Sequence, residues 1–241
     1  MSIVGNIFRE IISTLSSLIY DDGCMICGKS IDDERHHLCI KCRFEMPTTR
    51  FCFRSDNPVK EHFYYMSSVV EASSYIFFRS NDAWRHAIHR LKYNGEWRIG
   101  LTLGEMYGTD LKASELYDDV DLIVPVPLHP FKFLKRRYNQ SEYIAEGISK
   151  TLGVEVDRRV LYRSRNNPSQ TRQHVAERWT NVDNLFAVRH PERLHGKHIL
   201  LVDDVLTTGA TIISCIRAIN SVAPTCKVSI ATIAVAGKIK E

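Results

Sequence analysis

A chain of 241 residues can form one large domain or a domain with a small additional module. The hydrophobic fraction of 44% and the charged fraction of 25% are those of an ordinary soluble globular protein, and a formal net charge of +4 gives no overall field that favours nucleic acid. No apolar run is long enough to span a bilayer, and seven cysteines without an export signal favour a reducing cytoplasm over a disulfide framework.

The first 22 residues carry apolar side chains at the spacing of one face of a helix. Glu10 interrupts the apolar run and no small-residue cleavage site follows it, which is atypical of a signal peptide. An amphipathic helix is therefore predicted over residues 1–22. It could lie on a membrane or bind a partner helix, but packing against its own domain is the simpler expectation.

Four cysteines form two C-x-x-C pairs separated by eleven residues: Cys24, Cys27, Cys39 and Cys42. Each pair can present two thiolates from a tight turn, and four sulfurs complete a closed tetrahedral zinc site. Such a site is structural, because no position is left for a reactive water. His36 and His37 lie between the pairs and could replace a cysteine ligand, while a redox dithiol would need only one pair. The pattern predicts a zinc ribbon with a linker over residues 23–68.

Strand and helix patterns follow from residue 69 onward, and the apolar runs among them are typical of strands buried in a parallel sheet. Two helices are predicted in the first part, one that begins after Asp82 and ends at Asn94-Gly95, and one that Gly108 ends. A third begins at Tyr138-Asn139-Gln140 and ends at Gly153. Strands are predicted over residues 69–78, 122–124, 154–161, 185–188, 199–202 and 228–234.

Two basic stretches lie where ligand-binding loops are expected. Pro125 and Pro127 end the second predicted strand, so the loop Val126-Pro127-Leu128 emerges at a carboxyl end, where open α/β sheets bind their ligands. Four cations follow, and they form either part of a ligand site or a solvated charge cluster: Lys132, Lys135, Arg136 and Arg137. Residues 163–181 are polar, basic and largely without helical periodicity, as in a functional or disordered loop.

The stretch from His198 to Thr211 carries the strongest signal and reads HILLVDDVLTTGAT. An apolar strand leads into Asp203 and Asp204, then into a Thr-Thr-Gly turn that opens a helix. Free N–H groups and the helix dipole make such a turn an anion site, and Gly209 lets a phosphate approach the backbone closely. Carboxylates beside a phosphate site favour a sugar phosphate, because they can accept from its hydroxyls. The alternatives are an ordinary strand–helix turn and a phospho-acceptor site, although the phosphatase type requires D-x-D, which DDV does not match.

The segment LLVDDVLTTGAT resembles the phosphoribosyl-pyrophosphate motif of the type I phosphoribosyltransferases. This resemblance implies an α/β fold with a twisted, mostly parallel sheet flanked by helices over residues 69–241. It also implies that Asp203 and Asp204 hold the ribose 2- and 3-hydroxyls, with Mg²⁺ accompanying the substrate. The same motif would hold the 5-phosphate through Thr207, Thr208, Gly209, Ala210 and Thr211.

The chain as a whole resembles the ComF family of phosphoribosyltransferase-like proteins, which are associated in bacteria with competence and the use of external DNA. It carries in order a four-cysteine ribbon, LKYNGEW, PVPLHPFKFLKRRYNQ, SQTRQHVAERWTNVDNLF and the ribose-phosphate motif. Tyr138 stands where members often have Gly-Phe, and His174-Val175 departs from the small or leucine residues usual there. The resemblance implies a pyrophosphate loop and a flexible loop that contain Val126, Pro127, Leu128, Arg136, Arg137, Arg163, Arg165 and Arg172.

The sequence leaves two functions open. The first is a phosphoribosyltransferase that binds phosphoribosyl pyrophosphate or a nucleotide with Mg²⁺ and carries structural Zn²⁺. Neither His129 nor His174 is an obvious general base for it, and the acceptor is not visible. The alternative is a non-catalytic adaptor for single-stranded DNA or DNA-uptake proteins. It is suggested by the aromatic residues that alternate with the cations, as in surfaces that bind single strands: Phe131, Phe133 and Tyr138.

Overall fold

The computed structural model describes residues 23–31, 37–79, 82–163 and 185–236. The chain divides into two compact units, Met1–Met46 and Pro47–Glu241. Residues 47–68, which the sequence groups with the ribbon as a linker, therefore belong to the second unit. The helix predicted over residues 1–22 lies outside the described residues. Within the described ranges, no helix is both long and apolar enough to cross a membrane.

The first unit holds the cysteine pairs in two short turns. Gly28 follows the first pair in the left-handed conformation (φ 71°), and its N–H donates to the carbonyl of Cys24 at 2.8 Å. The short helix α1 (Ile40–Phe44) begins in the second pair, where the sulfur of Cys39 accepts from the N–H of Cys42 at 3.4 Å. Each pair is therefore held by a local hydrogen bond that a backbone N–H group donates.

A parallel sheet forms the centre of the second unit. Its strands are β1 (Val69–Phe77), β2 (Leu122–Pro125), β5 (His198–Leu206) and β6 (Lys227–Val235), in the order β1-β6-β5-β2. Most of their side chains are buried, which is expected when both faces of a parallel sheet are covered. The predicted α/β class with a parallel sheet is confirmed.

Two short strands, β3 (Leu161–Arg163) and β4 (Phe186–Val188), form a separate antiparallel pair. The strand predicted over residues 154–161 is wrong for most of its length, because Val156 makes a single bridge to β2 and β3 starts only at the last predicted position. Asp157 accounts for the interruption. Its carboxylate accepts from the backbone N–H groups two and three residues ahead, at 2.8 and 3.0 Å, and so holds the chain in a turn.

The segment before β1 lies along the outer edge of that strand. The N–H of Thr49 donates to the carbonyl of Tyr75 at 2.9 Å, and the N–H of Phe77 donates to the carbonyl of Pro47 at 2.8 Å. A short helix, α2 (Pro58–His62), follows. Buried apolar side chains from this segment join the core of the second unit: Phe51, Val59 and Phe63.

The remaining helices are α3 (Ala83–Tyr93), α4 (Trp97–Ala113), α5 (Pro130–Arg136), α6 (Gln140–Leu152) and α7 (Ala210–Val222). Asp82 caps α3 by accepting from the N–H of Trp84 at 3.2 Å, and Asn94 ends it, as predicted. The helix α6 begins after Asn139 and ends at Gly153 in the left-handed conformation, also as predicted.

Gly108 does not end α4, and that prediction is wrong. The helix continues to Ala113. A Cβ at Gly108 would collide with the side chain of Thr151, and a Cβ at Gly104 would collide with the backbone of Ile144 in α6. These glycines therefore allow α4 and α6 to approach closely, and they do so within an uninterrupted helix.

The basic stretch after β2 is helical for most of its length. Nδ1 of His129 accepts from the N–H of Phe131 at 3.2 Å, Pro130 occupies the first helical position, and Arg137 ends α5 in the left-handed conformation (φ 65°). Proline is favourable at this first position because its missing N–H would have no partner there.

Candidate functional site

Asp203 and Asp204 lie near the carboxyl end of β5, which continues past them to Leu206. The strand is longer than the apolar run because its backbone keeps pairing with β6, at Asp203 with Thr232 and at Val205 with Ala234. In open parallel sheets, ligands bind at this end of the strands. The acidic pair therefore stands where the sequence predicts a site.

Asp203 is held by its neighbours. Its Oδ1 accepts from the hydroxyl of Ser141 at 3.0 Å and from the N–H of Asp204 at 2.8 Å. Burial, followed by the negative charge of Asp204, raises the pKa of Asp203 to about 7. Burial and the neighbouring charge therefore both favour the neutral form of this carboxyl.

Asp204 forms an ion pair with Lys92, in the last turn of α3. The distance from Nζ to Oδ1 is 3.0 Å, and the two side chains are only 22% and 14% exposed. Lys92 is not predictable from the sequence as a site residue, because one lysine in the LKYNGEW segment gives no signal of a contact 112 positions away. The ammonium group offsets the charge of the acidic pair, so a phosphorylated ligand meets less repulsion.

The turn between β5 and α7 brings the predicted phosphate-binding residues together. Thr207, Thr208, Ala210 and Thr211 are exposed, whereas Gly209 is buried and caps α7 in the left-handed conformation (φ 73°). The N–H groups in the first turn of a helix have no partner within it, and the helix dipole favours an anion there. The turn is therefore a possible anion site that faces solvent.

The loop that begins after β2 is tied to the same end of the sheet. The N–H of Val126 donates to the carbonyl of Val202 at 2.9 Å, one residue before the acidic pair. Nδ2 of Asn139 donates to the carbonyl of Val126 at 3.0 Å. These bonds hold the loop between β5 and the start of α6.

Two of the predicted cations gather around Tyr93, the residue that follows Lys92. The guanidinium of Arg136 lies 4.8 Å from the centre of the Tyr93 ring and donates to Oε1 of Gln140 at 2.9 Å. Nζ of Lys135 lies 5.9 Å from the same ring. We refer to Lys92, Lys135 and Arg136 as the basic group, because Lys92 is adjacent in sequence to Tyr93, which the other two contact.

The other predicted cations are placed differently. Arg163 lies in β3 with its guanidinium 5.3 Å from the centre of the Phe186 ring, and burial lowers its pKa. Arg137 is exposed at the end of α5. Arg165 and Arg172 lie outside the described residues.

The structure does not strengthen either candidate general base. His129 uses Nδ1 to cap α5, and burial, followed by the charges of Arg163 and Lys132, lowers its pKa. His174 lies outside the described residues. Neither histidine is therefore given a role in the site.

An open pocket of about 440 Å³ lies between the loop after β2 and the start of α6. Three polar side chains line it, those of Asn139, Glu142 and Arg158. The rest of the lining is apolar: Pro125, Pro127, Leu128, Pro130, Phe133 and Leu134. Apolar pockets with a few polar groups are typical binding places for small organic ligands.

The first unit contains a second site. The sulfur atoms of Cys24, Cys27, Cys39 and Cys42 all lie within 4.8 Å of one another. Those of Cys27 and Cys39 are 3.7 Å apart. A tetrahedral site with Zn–S bonds of about 2.3 Å has sulfur–sulfur distances of about 3.8 Å, so the spacing suits a zinc ion.

The thiols influence one another's ionisation. Burial opposes ionisation of Cys24, but hydrogen bonds from the backbone around Cys27 and Cys39 outweigh it and lower the pKa of Cys24 to about 6. Burial, together with the neighbouring thiols, raises the pKa of Cys42. A ready thiolate beside three further sulfurs is a donor set that can hold a metal ion.

Comparison with known proteins agrees with this geometry. Residues 138–241 match the family model of the phosphoribosyl transferase domain. The chain is 21% identical over 198 residues to Competence protein F of Haemophilus influenzae. The match covers 78% of this chain and 86% of that protein. It is 29% identical over 128 residues to the DNA utilization protein YhgH of Escherichia coli K12. This match covers 52% of this chain and 56% of YhgH, about half of the relative's length.

Among solved structures, the chain is similar to the glutamine phosphoribosylpyrophosphate amidotransferase from B. subtilis. The TM-score is 0.42 at 15% sequence identity, over 60% of this chain and 30% of that chain. The phosphoribosyl transferase match includes β5 and the turn from Thr207 to Thr211, and the Competence protein F match extends over most of the chain. The chain is therefore similar to relatives named for competence and DNA utilization, and its C-terminal part matches the phosphoribosyl transferase domain.

Proposed function

We propose that the second unit binds phosphoribosyl pyrophosphate with Mg²⁺ and transfers the phosphoribosyl group to an acceptor. One observation carries the proposal: an acidic pair and an open helix N-terminus follow each other at the carboxyl end of β5, with Lys92 paired to Asp204. A phosphorylated ribose has hydroxyls that can donate to the acidic pair and a phosphate that can bind at the helix N-terminus.

In this proposal the ribose is held from two sides. Asp203 and Asp204 accept from the 2- and 3-hydroxyls. The turn from Thr207 to Thr211 holds the 5-phosphate through backbone N–H groups and hydroxyls. Because these groups are already in place, the sugar ring would be oriented with little reorganisation of the protein.

The basic group then meets the leaving group. When ribose hydroxyls donate to Asp204, Lys92 can leave its ion pair and contact the pyrophosphate. The bond from C1 to the pyrophosphate oxygen breaks with its electron pair on that oxygen, while the acceptor's nucleophile forms a new bond to C1. The positive charge of the basic group would stabilise the departing oxygen. We extend this role to the other arginines that the family resemblance assigns to the pyrophosphate and flexible loops: Arg137, Arg163, Arg165 and Arg172.

Both metal ions suit the residues present. Asp203 and Asp204 offer adjacent carboxylate oxygens, the ligands that Mg²⁺ prefers, and Mg²⁺ would neutralise pyrophosphate charge when bound. Zn²⁺ would bind the four sulfurs as a structural ion. Structural zinc contributes on the order of 10 kcal/mol to small modules, so it would hold the first unit together.

Isothermal titration calorimetry with phosphoribosyl pyrophosphate and Mg²⁺ tests the proposal. We expect binding by the full chain and loss of binding in Asp204→Asn, which removes one carboxylate charge. Asp118→Asn is the matched control, because Asp118 is exposed and lies outside the site. Absence of binding by the folded wild-type chain would exclude this function.

A second function is favoured by the surface of α5, in which no residue is buried. Phe131 and Leu134 are 77% and 75% exposed, and Lys132 and Lys135 lie between and beside them. Aromatic side chains among cations are typical of surfaces that bind single-stranded nucleic acid. The relatives are named for competence and DNA utilization, and the alternative function is an adaptor in DNA uptake.

Fluorescence anisotropy with a labelled oligothymidylate tests the adaptor. We expect salt-sensitive binding that is weakened when Arg136→Ala and Arg137→Ala are combined. The control combines Lys112→Ala with Lys150→Ala, which removes the same charge from exposed positions on other helices. Equal binding by the two double variants would exclude α5 as the DNA surface.

A further inference from the structure

His62, the last residue of α2, contacts the turn between β5 and α7, although it lies outside the predicted motif. Its Nε2 lies 3.1 Å from the carbonyl oxygen of Thr208. A carbonyl oxygen can only accept, so Nε2 carries the proton and donates. The two residues are 146 positions apart in the chain, which is why no local pattern contains the contact.

This contact determines the direction of one backbone N–H group. The peptide between Thr208 and Gly209 is trans. In a trans peptide the C=O and the N–H point in opposite directions, and the unit is rigid. Because the carbonyl of Thr208 points to His62, the N–H of Gly209 points away from it, as a donor at the N-terminus of α7.

The space around Gly209 is closed on the same side. A Cβ at Gly209 would lie 2.9 Å from Nε2 of His62 and 3.3 Å from Cε1 of Phe63. A ligand therefore has no room on the His62 side of the turn, and a phosphate would approach from the opposite side. That is the side to which the Gly209 N–H is directed.

His62 is itself held in place. The adjacent Phe63 is fully buried, and its ring meets that of His62 edge-on with centroids 5.1 Å apart. Asn57 caps α2 by accepting two N–H groups of the first turn. Nζ of Lys60 lies 2.8 Å from the carboxylate of Glu71 in β1. The donor thus comes from an anchored helix.

We propose that His62 is a positioning residue of the phosphate site. It fixes the Thr208–Gly209 peptide so that the N–H of Gly209 is presented to the 5-phosphate of the ribose. It does not touch the ligand. This inference rests on the proposed function and adds a residue from the segment before β1 to that site.

Two substitutions separate the hydrogen bond from the shape of the ring. His62→Gln keeps an N–H donor at a reach similar to that of Nε2, whereas His62→Phe keeps a ring against Phe63 and removes the donor. Calorimetry on the full chain would use three probes with Mg²⁺: phosphoribosyl pyrophosphate, ribose 5-phosphate and inorganic pyrophosphate. We expect His62→Phe to bind the first two about tenfold more weakly, the effect of losing one well-oriented hydrogen bond.

The remaining measurements identify a positioning role. Pyrophosphate binding should be the same in all variants, and His62→Gln should bind all three probes nearly as wild type does. A merely structural role would lower the affinity for all three probes together. Equal affinity of wild type and His62→Phe for phosphoribosyl pyrophosphate would overturn the role of His62 and leave the proposed substrate intact.

Inorganic phosphate separates the two proposals if the wild-type chain binds no phosphoribosyl pyrophosphate. In that case the proposed function fails, but the role of His62 can still be tested. The amide resonance of Gly209 is followed by nuclear magnetic resonance while inorganic phosphate is added. A shift in wild type and in His62→Gln, but not in His62→Phe, supports the positioning role. The absence of a shift in all three proteins overturns it.

Discussion

The ammonium group of Lys92 lies 3.0 Å from the carboxylate of Asp204, and both side chains are largely shielded from solvent. The pair joins the end of α3 to the end of β5. Under the proposed function, a ligand that draws Asp204 away from Lys92 would release this cation for its own phosphates. Ligand affinity and the stability of the unit would then be coupled at this pair.

Replacement of Lys92 by methionine should destabilise the protein. Asp204 would keep its charge without a partner, at a cost of about 1–3 kcal/mol in the free energy of unfolding. Lys150→Met is the control, since its pair with Glu105 is 57% and 39% exposed and should contribute less than about 1 kcal/mol. Urea denaturation measures both. Equal losses would mean that the Lys92 pair is no stronger than a surface pair.

Asp203 should make the free energy of unfolding fall as pH rises from about 4 to about 7. Its pKa of about 7 in the folded chain lies above the ordinary carboxyl value near 4, so the folded state binds more protons than the unfolded state within this window. Asp203→Asn removes this contribution. Denaturation at several pH values should show the stability of wild type relative to the variant decreasing across the window and levelling off above it. A constant difference would contradict the raised pKa.

Gly209→Ala should cost more stability than Gly196→Ala, although both glycines have a positive φ, of 73° and 69°. Alanine in the left-handed region costs about 1–2 kcal/mol at either position. A Cβ at Gly196 meets open space, whereas a Cβ at Gly209 meets His62. Thermal unfolding compares the two variants, and only Gly209→Ala should also lose binding of ribose 5-phosphate. Similar melting temperatures would show that the turn adapts to a Cβ.

Gly108→Ala should destabilise the protein, even though alanine is the better helix former. The added methyl group would force α4 and α6 apart, at a cost of about 1–3 kcal/mol. Gly100→Ala in the same helix is the control, because its Cβ would meet mainly the flexible end of Leu91 at 3.1 Å. A stabilised Gly108→Ala variant, as measured by urea denaturation, would contradict the close packing.

The purified chain should carry a single zinc ion bound to the first unit. Cys42→Ser removes one of the four sulfurs and should release the metal to a colorimetric chelator, because a three-sulfur site holds zinc less tightly. Cys52→Ser should keep the zinc, since Cys52 is a buried residue of the second unit. Full zinc content in Cys42→Ser would mean that the cluster is not the binding site.

Features encoded within a few consecutive residues were predictable. The acidic pair, the Thr-Thr-Gly turn and the C-x-x-C pairs each combine side-chain chemistry and backbone geometry in one short stretch. Their arrangement agrees with the phosphoribosyl transferase match and with the four-cysteine cluster. Helix ends set by a cap or a left-handed glycine, such as Asp82 and Gly153, were predictable for the same reason.

Contacts between distant segments were not predictable. The partners of the site residues come from three other helices: Lys92 for Asp204, Ser141 for Asp203 and His62 for the carbonyl of Thr208. A lysine, a serine or a histidine in a helix is usually a surface residue, so only the fold reveals these pairs. The prediction at Gly108 is wrong because, in the sequence, a glycine that permits close helix packing looks like a glycine that ends a helix.

The pairing of residues 47–49 with β1 bears on how the second unit can be shortened. A fragment that begins at Val69 would leave the last residues of β1, Tyr75 to Phe77, without these backbone partners, and would remove the buried rings of Phe51 and Phe63. Bare edges of this kind recruit strands from other molecules, so such a fragment is expected to aggregate. A minimal fragment for crystallisation or ligand screening should therefore begin at Pro47, so that residues 47–49 still pair with the end of β1.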